Sequence, residues 1–265
     1  MIVLSSVKFL PDYASQSDDS GISLQKVGIR GLNVRRTWDG APVITRQSAY
    51  VSLTDRKGIH MSRLAGVLLD WEGEEIACDD NFLEELASTH DSSNTYWKCK
   101  WSYIIDYAVG PRFTVNFVLE GRRFQDNCRW YLTFTLPYAS VCPCSLEMVR
   151  ATGRGIPHMQ RSRMTITVRL SEFNESLPQY TSWMITDLVD ELKLMPWAEM
   201  KRVEELYWCQ QAEDHPMFVE DVARKAVKVV NEWSWIDDWV IVAEHEESIH
   251  EHNVVAVAWR GKELR

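Results

Sequence analysis

Four segments of the chain, 112–119, 129–136, 163–170 and 253–259, alternate apolar and polar residues with period two. In an extended backbone that alternation sends successive side chains to opposite faces, so each segment predicts a strand with one covered face. Less regular alternation predicts further strands over 22–29, 48–53, 101–109 and 239–244. Between them lie helical patterns at 60–69, at 81–89 behind Asp79 and Asp80, at 182–194, and at 218–233 after Pro216. In the last of these Val219, Val222, Ala226, Val229 and Val230 form an apolar stripe. The order is strand, strand, helix, helix, strand, strand up to about residue 124, and the same order again from about residue 128. The chain therefore reads as duplicated, although no residue-level repeat is visible. Helices grouped between strand pairs imply antiparallel sheets with helices on one face, an α+β class. The boundary falls near the polar turn Glu120-Gly121-Arg122-Arg123, which gives units of 1–124 and 125–265.

With 265 residues, 45% of them hydrophobic, the chain has enough apolar surface for one sizeable core or two modest ones. The first twenty residues hold only short apolar runs, 1–4 and 7–10, and no signal peptide is expected. No apolar stretch approaches the roughly 20 residues that cross a bilayer, so the expected location is the cytoplasm. A net charge of −9 argues against a nucleic-acid partner, and a polyanionic ligand would need a local basic island. Six cysteines stand at 78, 99, 128, 142, 144 and 209, with no spacing that suggests a disulfide framework. The twelve tryptophans are best explained as packing.

Candidate chemistry gathers at three places. Cys142-Pro143-Cys144 follows a predicted strand and precedes a short helical stretch, 146–151. A thiolate there could attack a substrate or hold a metal. Pro157-His158-Met159-Gln160-Arg161-Ser162 leads into the strand that starts at Arg163. Near the end stands Glu247-Ser248-Ile249-His250-Glu251-His252, where His250 and His252 share a side if the segment is extended. Sulfur, imidazole and carboxylate together form a ligand set suited to zinc, iron or manganese. Taken singly, a Cys-Pro-Cys is more often two buried thiols, a His-x-His on a strand is often incidental, and Glu204-Glu205 in a charged helix is usually solvated. Their conjunction favours a site.

Lys57-Gly58-Ile59-His60-Met61-Ser62-Arg63-Leu64, Cys142-Pro143-Cys144-Ser145, Gln160-Arg161-Ser162, Phe218-Val219-Glu220-Asp221 and Glu247 to His252 resemble, in order, the signature segments of the type IB GTP cyclohydrolases. The resemblance implies a bimodular tunnelling fold of two ββααββ modules, assembled as a homo-oligomer, dimer or tetramer. It implies a divalent metal, Zn, Fe(II) or Mn, bound by Cys142, His158, Glu205 and His250, with Glu220 holding the guanine edge. Some features depart from the family pattern. The Cys142-to-His158 segment is long, Met159 and Val203-Glu204 replace family residues, and 147–158 looks closer to the archaeal branch that forms a cyclic phosphate. The tryptophans at 208, 233, 235 and 239 have no family counterpart.

The implied reaction is hydrolysis of the guanine imidazole ring of GTP, with loss of formate and formation of a dihydroneopterin phosphate for pterin or folate biosynthesis. Cys142, His60 and His252 are the expected catalytic residues, the histidines as proton shuttles. Lys57, Arg63, Gln160, Arg161 and Arg202, with Glu220, are the expected substrate contacts. Two other readings keep the fold. One is a relative that takes another purine nucleotide or stops at the 2′,3′-cyclic phosphate, and the other is a non-catalytic binder of purines or pterins.

Overall fold

Asp39 and Gly40 both adopt positive φ, 52° and 71°, as a two-residue turn matched to the twist of its flanking strands requires. They join β1 (Leu24–Trp38) to β2 (Ala41–Leu53). After α1 (Met61–Asp70) and α2 (Asp80–Ser88) the chain returns as β3 (Asn94–Asp106) and β4 (Arg112–Phe124), and a short turn leads to β5 (Asn127–Val141). Then come α3 (Pro143–Thr152), β6 (Met159–Leu170), α4 (Leu177–Leu192), α5 (Arg202–Asp214), α6 (Val219–Asn231), β7 (Ile236–Glu246) and β8 (Val254–Arg260). The computed structural model describes residues 12–107, 110–171, 176–262 and 264. The last two residues of the strand expected over 101–109, and the apolar runs at 1–4 and 7–10, lie outside the described residues.

The strands form one eight-stranded sheet in sequential order, β1 to β8, with every neighbouring pair antiparallel. β1 and β8 are its edges. Alternate side chains such as Ala49, Trp97, Leu119, Leu132, Ile166 and Ile241 are buried in one continuous cluster with Leu64, Leu83, Met184 and Val222 from the helices. The class is α+β, as the period-two and helical patterns together require. At about 25 cal/mol per Å² of apolar surface removed from water, this shared core is the main force holding helices to sheet.

Local chemistry sets the element ends. The Asp79 carboxylate accepts from the Asn81 and Phe82 amides at 2.9 and 3.3 Å and so caps α2. The apolar stripe of α6 buries Val219, Val222, Ala226 and Val230 against β7, β8 and α4, with Val229 half-buried beside them. β1 runs to Trp38, well past the predicted 22–29, because its register shifts between Arg30 and Leu32 around Gly31 at φ 83°. That bulge interrupts the alternation on which the prediction depends. Among the described residues no helix is long and apolar enough to cross a membrane.

Candidate active site

Cys142 is held by the backbone on both sides. Its amide donates to the His158 carbonyl at 3.2 Å, just beyond the last β5–β6 pair, Val141 with Met159. The Met217 amide donates to the Val141 carbonyl at 3.1 Å and ties in the entry to α6. Cys142 is also the N-cap residue of α3, with Pro143 in the first turn, where a fixed φ and a missing N–H cost nothing. Gly153 closes that helix in the left-handed conformation at φ 65°. The Ser145 hydroxyl accepts from the His158 amide at 3.2 Å. A strand end, a helix start and a loop therefore fix Cys142 beside His158.

Beneath them runs a buried polar patch across β5, β6 and β7. Ser140 stands opposite Gln160, and Ser162 opposite both Tyr138 and His245. His245 is 1% exposed, and its Nδ1 lies 3.4 Å from the Ser140 hydroxyl and 3.2 Å from Gln160 Nε2. Gln160 Nε2 also donates to Glu247 Oε1 at 3.4 Å. Burial drives the His245 pKa down to about 4, against a weaker upward pull from the Glu220 carboxylate. The ring is thus neutral at physiological pH.

Four buried atoms of this patch, His158 Nδ1, Gln160 Oε1, His245 Nε2 and Glu247 Oε2, have no hydrogen-bond partner among the described residues. His158 Nδ1 and Glu247 Oε2 face each other at 3.8 Å, too far for a hydrogen bond. An unsatisfied buried polar atom costs about 1–3 kcal/mol. Such a concentration at one place is the signature of a site that a ligand completes.

The patch opens into a cavity of about 290 Å³ lined by Cys142, His158, Glu220, His245, Glu247 and His250, with His252 at its edge. The His250 and His252 rings stack at 5.3 Å with planes 4° apart. Glu220 lies in the first turn of α6, where the positive helix end favours a carboxylate. It does not cap the helix: Asp221 accepts from the Phe218 amide at 3.1 Å. The Glu220 carboxylate is left to the cavity.

Glu205 lies in the first turn of α5 and lines a neighbouring cavity of about 510 Å³ with Met159, Gln160, Arg161, Trp197 and Trp208. Gln160 is common to both cavities. Among the described residues no group of three or more His, Cys, Asp and Glu side chains is close enough to hold a metal ion. Cys142, His158 and His250 thus share a cavity, while Glu205 faces the adjoining one. In donor chemistry the residues fit a divalent ion, because a thiol, imidazoles and carboxylates line one cavity where the buried His158 Nδ1 lacks a partner.

The expected residues of the first half do not line either cavity within the chain. His60 Nε2 lies 3.0 Å from Asp12 and 3.3 Å from Ser15. Lys57 donates to Gln16 at 3.2 Å, and Arg63 to the Thr89 carbonyl at 3.3 Å. Arg202 is exposed at the start of α5. His245 was not singled out from sequence, and Glu247 stood in a quoted motif without a role of its own. Strand parity could have found His245, since it shares the covered face of β7 with Ile241 and Ala243.

Residues 10–256 match the family model described as type I GTP cyclohydrolase FolE2. "GTP cyclohydrolase FolE2" of Syntrophus aciditrophicus is 28% identical over 268 residues, covering 92% of this chain and 97% of the relative. The protein of the same name from Pelobacter propionicus is 29% identical over 262 residues, covering 93% and 97%. Uricase from Arthrobacter globiformis shares the fold alone, with TM-score 0.52 and 7% identity over 91% of this chain and 94% of that one. α3 and α5 depart from the expected single helical face, packing on Ala139, Val141 and Met159, of opposite parity to the main core. The antiparallel sheet with its helices is a tunnelling-fold architecture, and the chain belongs to the type I GTP cyclohydrolase FolE2 family of enzymes.

Proposed function

We propose that the chain opens the imidazole ring of GTP by adding water across N7 and C8, and that a second hydrolysis releases formate on the way to a dihydroneopterin phosphate. The observation that carries this reading is the convergence of Cys142, His158, His250 and Glu220 on one cavity above a buried, incompletely satisfied polar patch. Glu220 accepts the N1 and N2 hydrogens of guanine as a bidentate pair, a geometry that a single carboxylate supplies. Cys142, His158 and His250, together with Glu205 across the Gln160 partition, would hold a divalent ion. When bound, that ion supplies Lewis acidity, which makes water a competent nucleophile near neutral pH. Neutral imidazoles can take a proton from the attacking water and return it to the departing nitrogen, the role assigned to His252 and His60. Glu247 faces His158 at 3.8 Å, and with a small closing movement it would hold the His158 ring as carboxylates do behind metal-ligating histidines.

Lys57, His60 and Arg63 reach the triphosphate from a second copy of the chain, while Arg161 and Arg202 reach it from the same copy. The free edges of the sheet support such an assembly. β8 is an edge strand on which Val255, Val257 and Trp259 are each about half exposed, and an open strand with an apolar column invites pairing. A homo-oligomer would cover these edges and complete the site.

Anaerobic reconstitution with Fe(II), Mn or Zn, scoring formate released from GTP, tests the reading. Wild type is expected to turn over and Cys142→Ala to lose nearly all activity. Equal turnover in both would remove the site assignment.

A further inference from the structure

The face of β1 to β4 opposite α1 and α2 carries a third cavity, of about 480 Å³, which shares no lining residue with the two beside Gln160. Six cations line it: Lys26, Arg30, Arg46, Lys98, Lys100 and Arg122. The single carboxylate in the lining is Glu120, which Lys98 and Arg122 already bind at 2.5 and 3.0 Å. In a chain of net charge −9, this is the local basic island that a polyanion needs.

The island is built against its own repulsion. Arg46 and Lys100 are direct cross-strand partners of β2 and β3, and like charges placed opposite one another are destabilising. Neither forms an ion pair or hydrogen bond with a described side chain. The Arg46 guanidinium instead lies over Gly31, where an added Cβ would come within 2.9 Å of its Nε. Gly31 sits in the β1 bulge at φ 83°, its amide donating to the Ser48 hydroxyl at 3.2 Å. Bulge and glycine together clear the space into which Arg46 projects. Lys26 Nζ rests 3.9 Å from the Tyr96 ring centre. Partial burial, with Arg122 beside it, holds that ammonium below the usual lysine range. Four strands thus hold five uncompensated positive charges in a concavity of ligand size.

We infer that this cavity binds a small polyphosphorylated anion, of the inorganic triphosphate or nucleotide 5′-triphosphate class, at a site separate from the purine cavity. Triphosphate oxygens would bridge Arg46 and Lys100, turning their repulsion into charge-assisted hydrogen bonds. The acidic remainder of the chain and the limited volume oppose a long nucleic acid.

Calorimetric titration of the full-length protein with inorganic triphosphate, at about 0.1 M salt, tests the inference. Wild type is expected to bind one equivalent per chain at this cavity, beyond any taken up on the purine side, and Arg46→Ala with Lys100→Ala to weaken that equivalent about tenfold or more. Lys100→Gln, at an exposed position, serves as a milder variant and is expected to weaken it by a smaller factor. Arg161→Ala, which removes a triphosphate contact on the purine side, is expected to keep the equivalent that the Arg46 and Lys100 changes weaken. The double variant should keep formate release from GTP and, in phosphate-free buffer, a thermal midpoint at least as high as wild type. Titrating GTP against protein already holding inorganic triphosphate separates the two sources: continued binding of both places them at different sites. Absence of saturable binding, insensitivity to the Arg46 and Lys100 changes, loss in Arg161→Ala, or loss of formate release in the double variant would each overturn it.

Discussion

Burial of a neutral histidine between β5, β6 and β7 has a measurable cost in acid. His245 is 1% exposed and its pKa is depressed from 6.5 to about 4 by loss of hydration. The unfolded chain therefore binds a proton at this residue through the window from about 6.5 down to about 4, and the folded chain does not. Stability from this group is complete above the unfolded pKa and falls as pH drops toward the folded one. With about 1.4 kcal/mol per pKa unit, the linkage relation gives a loss of about 2 kcal/mol between pH 7 and pH 5. Replacing His245 with Gln keeps a polar side chain beside Ser140 and Gln160 but removes the titration. Urea unfolding at fixed protein concentration, at pH 5, 6 and 7, gives the difference in stability between wild type and His245→Gln. Any pH-independent cost of the substitution cancels in the slope. The variant is expected to lose about 2 kcal/mol less than wild type on going from pH 7 to pH 5. Parallel curves would show that His245 is protonated or hydrated in the folded state, and the account of a dry polar patch would fail.

Glu220→Gln keeps the shape of the side chain but replaces one acceptor oxygen with a donor facing guanine. Steady-state kinetics on GTP should show kcat/KM lower by about 10- to 100-fold, since a hydrogen bond to a charged group contributes about 1.5–3 kcal/mol; an unchanged value would free Glu220 of that role. If the first-half cations act across copies, Cys142→Ala and Arg63→Ala, each inactive alone, should recover part of the wild-type activity when refolded together. No recovery, with mixed oligomers demonstrated by mass spectrometry, would confine the site to one chain. Gly28→Ala tests the sheet: its Cβ would meet the Ala49 carbonyl oxygen at 2.0 Å, a backbone contact that cannot rotate away. The thermal midpoint should drop by several degrees, and an unchanged midpoint would mean that β1 is not paired as described.

The sheet was legible in the chain because period two and the helical stripe are set by the same face that is buried. β4 and α6 show this, with nearly every expected apolar position covered. Legibility failed where chain and core decouple. The second half of β1 lies beyond a glycine bulge that breaks the alternation. α5 leaves Val203, Leu206 and Tyr207 exposed, so it has no covered stripe to read, and from sequence it amounted to a charged stretch around Glu204-Glu205. The site followed the same rule. Cys142, His158, Glu220 and His250 could be named because they stand in short ordered motifs. His245 could not, because its meaning comes from Ser140 and Gln160 on other strands. That Glu205 faces the adjoining cavity is likewise a property of how α5 packs and not of its spacing from Glu220.

The central claim is that one divalent ion binds at Cys142, His158 and His250 with Glu205. X-ray absorption at the zinc edge of the zinc-loaded protein tests it most directly. The account predicts a single sulfur neighbour at about 2.3 Å with nitrogen and oxygen at about 2.0–2.2 Å, and loss of the sulfur shell alone in Cys142→Ser. A spectrum without sulfur, or one that Cys142→Ser leaves unchanged, would contradict it.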